Sequence, residues 1–212
     1  MNNDYYELKL NIQNKESISG FYHTHIVSYT NHREFMLSNS AQRILNCKNA
    51  GGNSILSEAL SAELFDRIFG INYIKTEMEI QYIYSNWKIA DYLINICNKN
   101  VGVSVTRAMS YFDPTTFSVE DAKNLLVKKI EGLILARSSA STTNAFYTSI
   151  LHIWCQLLDN ISTLREAYKL LPEKLKDNII IVCTFPKNME YLFKNISKQR
   201  KKRKKRMKKI II

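Results

Sequence analysis

The chain has 212 residues, of which 45% are apolar, and it carries a formal net charge of +11. This length is enough for one sizeable hydrophobic core. Ten of the basic residues lie in the segment KQRKKRKKRMKK (198–209), so the rest of the chain carries 20 basic and 19 acidic residues. A nearly neutral body excludes a domain that binds polyanions over its whole surface, and the basic character belongs to a tail.

The cysteines, the N-terminus and the apolar segments indicate a soluble, intracellular protein. The four cysteines are scattered without a CxxC pair, which is typical of reduced core cysteines rather than zinc ligands. The first ten residues, MNNDYYELKL, are polar and partly acidic, unlike a signal peptide. The apolar runs, such as residues 179–183, are too short to span a membrane. We expect no membrane association.

The N-terminal part of the chain, residues 4–50, is predicted to be a β-rich layer. Apolar residues alternate with polar ones at Tyr6, Leu8, Leu10 and Ile12, and this period of two is typical of a half-buried strand. Residues 21–29 also have strand character, and residues 38–52 are predicted to be a loop that ends at a Gly-Gly break. Residues 1–52 are therefore interpreted as an N-terminal β extension.

Three histidines lie in this extension. His23 and His25 share one face of the predicted strand, and His32 follows a turn. They either form a zinc site, for which no fourth ligand is evident, or are ordinary surface histidines. Surface histidines are common, and we prefer the second interpretation.

A helix is predicted from Asn53 or Ser54 to about Phe69, and Gly70 ends it. Its apolar stripe, at spacings of three and four, consists of Ile55, Leu56, Ala59, Leu60, Leu64, Phe65 and Ile68. Glu58 and Glu63 flank this stripe.

Three strands are predicted next, over residues 75–85, 88–98 and 101–109. Glu77 and Glu79 share one face of the first strand, and Asp91 is a lone carboxylate in the apolar second strand. In the third strand, alternating valines are expected to face the core, with Gly102 and Ser104 facing a site. Such a lone carboxylate at a sheet edge can bind a cation or orient a water molecule.

The remainder of the body follows a βαβαβ pattern. A capped helix over 118–136 has an inner stripe of Ala122, Leu125, Leu126, Lys129, Ile130 and Leu133. A flexible linker (138–144), a buried strand (149–156), a helix (157–171) and a strand (179–184) follow. This pattern predicts right-handed parallel crossovers, and the antiparallel meander before it makes the sheet mixed. The predicted fold class is α/β, a mixed β-sheet flanked by helices.

The order of these elements resembles the PD-(D/E)xK fold of restriction-endonuclease-like proteins. The blocks KTEMEIQY (75–82), KIADYL (88–93), VGVSVTRAM (101–109), EDAKNLLVKKIEG (120–132) and ILHIW (150–154) are also similar to the AAC-rich mRNA clone protein group, which is thought to share that fold. The resemblance implies that a helix Glu, a strand Asp and an acidic-x-Lys motif collect one or two Mg²⁺ ions and position the attacking water.

The third-strand motif departs from the pattern of that fold. Asp91 matches the strand Asp, but Ser104-Val105-Thr106 stands where acidic-x-Lys is expected, with Arg107 next. Glu77 or Glu79 would have to supply the acid, and Lys123 or Lys128 the lysine. Arg107 stays protonated, so it suits a phosphate clamp rather than a general base.

Carried over residue by residue, the resemblance implies two sets of site residues. The Mg²⁺ ligands are then drawn from Glu58, Glu63, Glu77, Glu79 and Asp91. The catalytic groups are then drawn from Asp91, Ser104, Thr106, Arg107 and Lys128. The alternative for Asp91 is a paired carboxylate at the end of a strand.

The predicted domains are the extension (1–52), a nuclease-like α/β domain (53–197) and a disordered basic tail (198–212). The tail is either a nuclear-localisation or nucleic-acid-binding arm or a plain lysine-rich extension, and it is expected to bind polyphosphates in a salt-sensitive way. We expect a nucleic-acid-associated protein, nuclear or cytoplasmic, with a Mg²⁺-dependent nuclease site. The alternatives are an inactive relic of that fold, which binds nucleic acid or protein, and a plain interaction protein whose tail directs localisation.

Overall fold

The computed structural model describes residues 3–13, 19–29, 35–47, 54–84, 87–110 and 113–193. The strands in this part of the chain are β1 (Gly20–Val27), β2 (Ile74–Thr76), β3 (Tyr92–Ile96), β4 (Lys99–Ala108), β5 (Thr148–Cys155) and β6 (Ile179–Lys187). They form one mixed sheet in the order β1-β6-β5-β4-β3-β2. The predictions for His32 and the basic tail fall outside the described residues.

Helices cover both faces of the sheet. They are α1 (Asn3–Gln13), α2 (Asn39–Asn46), α3 (Ile55–Phe69), α4 (Val119–Ser139), α5 (Asp159–Lys169) and α6 (Glu173–Lys176). Helices α1, α2 and α3 pack on one face, and α4, α5 and α6 on the other. The prediction of an α/β fold with a mixed sheet between helices is confirmed. None of the helices described is long and apolar enough to cross a membrane.

The βαβαβ pattern is confirmed as the parallel half of the sheet. Strands β4, β5 and β6 are parallel neighbours, and β1 adds to the far side of β6, also in parallel. All residues of β5 are buried, because helices cover both of its faces, and most of them are apolar.

The antiparallel meander is confirmed, but its first strand is shorter than predicted. Strand β2 has only three residues, because the Glu79 carboxylate accepts hydrogen bonds from the backbone N–H of Thr76 at 2.9 Å and from its hydroxyl at 3.1 Å. Glu77 and Glu79 thus lie in and just after a turn, not on one face of a strand. Strands β3 and β4 are joined by Cys97 and Asn98, both with positive φ, as a two-residue hairpin turn requires.

Three predictions for irregular or extended segments were wrong. Residues 6–12 belong to α1, because Leu8 and Ile12 satisfy a helical spacing as well as a period of two, and both are buried. Helix α2 lies inside the predicted loop 38–52, with the Ser38 hydroxyl accepting from the Ala41 N–H. Within the predicted linker 138–144, residues 138 and 139 are the end of α4, and residues 142–144 form a 3-10 turn that ends at the buried Asn144.

The capped helices were predicted correctly. Gly70 ends α3 with φ of 67°, a conformation that is costly for other residues. Ser118 and Asp121 form a capping box at the start of α4. In β4, the valines face the core under α3 as expected, but Gly102 and Ser104 are buried as well, on the α4 side. The ring of Phe146 occupies the space where a Cβ of Gly102 would lie.

Candidate functional site

The site begins where the edge of β4 is left open by the short β3. The last ladder pair joins Tyr92 to Val103, so the polar backbone groups of Val105 face no neighbouring strand. Asp91 occupies this position. Its N–H donates to the Val103 carbonyl at 2.9 Å, and its Oδ2 accepts from the Val105 N–H at 2.5 Å and from the Ser104 hydroxyl at 3.0 Å. The carboxylate therefore replaces the missing strand residue.

Lys129 of α4 lies at the same open edge. Its Nζ is 3.5 Å from the Val105 carbonyl oxygen, and its positive charge acts on Asp91. Burial raises the pKa of Asp91 above its ordinary value, while the Lys129 charge and the hydrogen bonds from Val105 and Ser104 offset part of this effect. Asp91 and Lys129 thus place opposite charges on the two backbone polar groups of one residue, Val105.

Glu58, in the first turn of α3, closes the site from the other side. The residue is 7% exposed, and it lines a small cavity together with Glu77 and Asp91. Burial first, and then the negative charge of Asp91, raise the pKa of Glu58 to about 7, although a hydrogen bond to Ser54 opposes the shift. The cavity therefore has an excess of negative charge.

The remaining walls of this cavity are mostly apolar. They are formed by Ile44, Cys47, Ile55 and Thr76. The Cys47 thiol donates to the Thr76 hydroxyl at 3.2 Å, which ties the end of α2 to the end of β2. Helix α2, which was not predicted from the sequence, is thus one wall of the site.

A buried polar network fixes α3 over the centre of the sheet. The His152 ring nitrogens contact the Ser61 hydroxyl at 2.6 Å and the Thr184 hydroxyl at 2.9 Å. Burial lowers the pKa of His152 to about 3, so the ring is neutral at physiological pH. The Trp154 indole N–H donates to the Ser57 carbonyl at 3.0 Å. These bonds position the helix turn that carries Glu58.

The other two glutamates of the predicted ligand set lie elsewhere. Glu63 pairs with Arg67 at 2.5 Å and accepts from the Ser38 N–H at 2.6 Å. Glu79 pairs with Arg43 at 2.5 Å. Because each of these two glutamates is paired with an arginine, we interpret both as groups that stabilise the structure.

The predicted catalytic residues are only partly brought together. Ser104 contacts Asp91 directly, and Thr106 is half-buried two residues further along the same face of β4. Arg107 points to the opposite face, where its Nη1 donates to the Leu192 carbonyl at 2.9 Å. Lys128 is exposed, and Lys123 is half-buried.

Lys129 is the site residue that sequence reasoning missed. It was assigned to the apolar inner stripe of its helix. A lysine inside an otherwise apolar stripe could have indicated the site, because its ammonium group must reach water or a polar partner.

The donor set suits a hard divalent cation in its chemistry. Three carboxylates from separate elements line one cavity, and burial and the charge of Asp91 raise the pKa of Glu58 to about 7, so that it is partly protonated near neutral pH. As the side chains stand in the described residues, no three His, Cys, Asp or Glu groups are close enough together to share an ion. The same holds for His23 and His25, which lie beside Arg165 of α5; the Arg165 Nη2 is 2.9 Å from the His23 Nδ1.

The chain is similar to the AAC-rich mRNA clone AAC4 protein of Dictyostelium discoideum. The two are 37% identical over 166 residues, which make up 76% of the chain, and this confirms the resemblance to that protein. The chain spans about a quarter of the length of this curated relative, since the match covers 24% of it. No family model and no solved structure matches the chain.

Proposed function

We propose that this chain is a nucleic-acid-associated protein of the PD-(D/E)xK type, whose cavity between α3 and the open edge of β4 is a divalent-cation-dependent phosphodiesterase site. One observation carries the proposal. Glu58, Glu77 and Asp91 come from elements that are distant in the sequence, yet they line one cavity, with Lys129 beside it. The basic tail supplies general affinity for the phosphate backbone.

The cation proposed for this site is Mg²⁺. Glu58, Glu77 and Asp91 would hold it after their side chains move closer together than they stand in the described residues. When bound, Mg²⁺ stabilises charge on the phosphate and makes a water molecule more acidic. Asp91 is oriented by the Ser104 hydroxyl and the Val105 N–H, so its second oxygen faces a fixed direction. Glu58, whose pKa is raised to about 7 by burial and by the charge of Asp91, would hold the ion in its deprotonated form.

Lys129 takes the role of the missing third-strand lysine in this proposal. Its ammonium group lies beside Asp91 and can stabilise negative charge that develops on a phosphate oxygen. Arg107 is not assigned a role at the cavity, because its guanidinium group donates to the Leu192 carbonyl.

Cleavage of labelled single- and double-stranded DNA and RNA, with Mg²⁺, Mn²⁺ or a chelator, tests the proposal. We expect cleavage that requires the metal and that is lost in Asp91→Ala. Circular dichroism of the variant must show a folded protein, because Asp91 also satisfies the edge of β4. Absence of cleavage, together with absence of metal-induced thermal stabilisation, would contradict the phosphodiesterase proposal.

The second candidate is a non-catalytic relic of the same fold that binds nucleic acid. It is favoured by the hydrogen bonds that already occupy the Asp91 Oδ2 and by Ser104 in the place of an acidic residue. A relic would bind oligonucleotides without cleaving them, and its thermal stability would not respond to Mg²⁺.

A further inference from the structure

Two large aromatic side chains are exposed and stacked on each other in the connection between β2 and β3. The Tyr84 and Trp87 ring centroids are 4.6 Å apart, with an interplanar angle of 26°. Tyr84 is 51% and Trp87 44% exposed. Ile83 and Met78, in the same connection, are exposed by 65% and 59%. An apolar surface of this kind is typical of a binding site.

This aromatic surface is attached to the candidate site at both of its ends. The connection leaves the cavity at Glu77 and returns to it at Asp91. Its base is held by the Tyr82 hydroxyl, which accepts from the Ala90 N–H at 2.9 Å, and by the Ile83 N–H, which donates to the Ser139 carbonyl at 2.7 Å. The rings therefore project from a base that is supported by the end of α4.

Lysines flank the two rings. Lys88 is exposed beside Trp87, and its aliphatic stem approaches Gly132 of α4, where an added Cβ would lie 3.9 Å from the Lys88 Cγ. Lys128 is exposed one turn earlier on α4, at the i−4 position from Gly132. Glu131 is the exposed carboxylate next to this pair. Rings for stacking and ammonium groups for phosphates are the combination that binds single-stranded nucleic acid.

We propose that Tyr84 and Trp87 stack on bases of a single-stranded nucleic acid, while Lys88 and Lys128 contact its phosphates. This proposal rests on the proposed nucleic-acid association and narrows it to strands with unpaired bases. Bases of a duplex are stacked within the helix and present no free face to the rings.

The test uses the full-length protein and two fluorescein-labelled oligomers of about 12 units, one of oligo(dT) and one abasic, which keeps the phosphates but has no bases. Anisotropy titrations with a chelator present measure binding without cleavage. We expect the wild type to bind oligo(dT) about tenfold more tightly than the abasic oligomer. Binding of the abasic oligomer measures the contribution of the tail and the lysines alone.

Variants assign this preference to the rings. We expect Trp87→Ala to reduce the preference for oligo(dT) to about twofold or less, and Trp87→Phe to keep most of it. Tyr147→Ala is the matched control, because Tyr147 is 82% exposed but lies before β5, away from the cavity. It is expected to bind as the wild type does.

Tryptophan fluorescence gives a second readout. The chain has two tryptophans, and Trp154 is fully buried, so quenching by an added oligomer reports on Trp87. We expect quenching by oligo(dT) but not by the abasic oligomer, and none in Trp87→Phe.

The outcomes separate the two proposals. Equal binding of both oligomers by the wild type would overturn the stacking surface and leave nucleic-acid association intact. Absence of binding to either oligomer at low salt would overturn both. Unchanged oligo(dT) binding by Trp87→Ala would overturn the stacking surface and indicate that the exposed rings contact a protein instead.

Discussion

Two segments of this protein each carry a pair of glutamates, and in each pair the two members reach opposite environments. On α3, Glu58 faces the cavity, whereas Glu63 pairs with Arg67. In the segment after β2, Glu77 faces the cavity, whereas Glu79 pairs with Arg43. Within a few residues of chain, one carboxylate pairs with an arginine and the other lines the cavity together with Asp91.

The comparison indicates that the groups around a carboxylate decide whether it stabilises the fold or is available to a cation. A guanidinium group that accompanies a carboxylate offsets its desolvation and leaves little reason to bind a cation. Glu58 is buried beside Asp91, and this arrangement costs stability unless a proton or a cation is bound. We therefore expect Glu58 and Glu77, which line the cavity, to contribute to function. We expect Glu63 and Glu79, which pair with arginines, to contribute to stability.

The largest expected effect is on activity. Glu58→Gln and Glu77→Gln should each reduce metal-dependent phosphodiesterase activity by about a hundredfold or more, because each removes an anionic oxygen ligand. Glu63→Gln and Glu79→Gln should keep activity within about threefold of the wild type. Initial cleavage rates at saturating Mg²⁺ measure this difference. Equal losses in both groups would show that the comparison does not describe the site.

The second effect is a pH-dependent gain in stability from Glu58→Gln. The pKa of Glu58 is about 7 in the folded protein and near 4.5 when unperturbed, so the native state holds this proton more tightly than the unfolded state. Its destabilising contribution therefore grows as pH rises from about 4.5 to about 7 and is constant above that. We expect Glu58→Gln to raise the free energy of unfolding by about 2 kcal/mol at pH 8 and by little at pH 4.5.

Denaturant titrations of the wild type and the variant at both pH values measure this gain. Glu63→Gln serves as the matched control on the same helix. It should lose about 1 kcal/mol at pH 8, because the Ser38 N–H and Arg67 are left with a weaker acceptor. Loss of stability in Glu58→Gln at pH 8 would contradict the inference that the ionised Glu58 carboxylate destabilises the folded protein.

The third effect is metal-induced stabilisation that follows the protonation of Glu58. Because a cation that binds only the folded state stabilises it, millimolar Mg²⁺ or Mn²⁺ should raise the melting temperature by a few degrees at pH 8. The rise should fall below detection at pH 5, where Glu58 holds its proton, and it should be absent in Asp91→Asn. Differential scanning calorimetry measures it, and a shift that persists at pH 5 would place the ion elsewhere.

The smallest effect concerns the exposed pair of Arg43 and Glu79. The hydrogen bond and charge of Arg43 lower the pKa of Glu79, so the pair contributes above pH 4.5 and is lost as pH falls through the lowered pKa. The partners are 54% and 38% exposed, and Arg43→Met should therefore cost no more than about 1 kcal/mol at pH 7. The cost should shrink in high salt. A larger, salt-independent loss would indicate a structural role beyond the ion pair.

Patterns that depend on neighbours in the sequence predicted much of the fold. The caps at Ser118 and Gly70 were recognised because each satisfies backbone groups of its own helix. The parallel strands were recognised because burial on both faces favours runs of mostly apolar residues. Helix α1 was mistaken for a strand, since four apolar positions at even spacing also contain an i, i+4 pair, and only packing selects between the two.

The site was predicted less completely. Asp91 and Glu58 were recognised as candidates from their positions in the pattern, and the structure brings them to one cavity. The sequence could not separate Glu58 from Glu63 or Glu77 from Glu79, because Arg67 and Arg43 become partners only when α3 and α2 take their places. Lys129 was assigned to the core because its contact with Val105 arises only when α4 packs on β4.

The sequence by itself determined the alternation of strands and helices from β4 onwards and the caps at Gly70 and Ser118. These features arise from periodicity and local hydrogen bonding, which act over a few residues. The tertiary structure alone decided where β3 begins relative to β4 and which open edge Asp91 and Lys129 share. It also decided which carboxylates remain beside the cavity, because burial and charge are properties of groups brought together from distant parts of the chain.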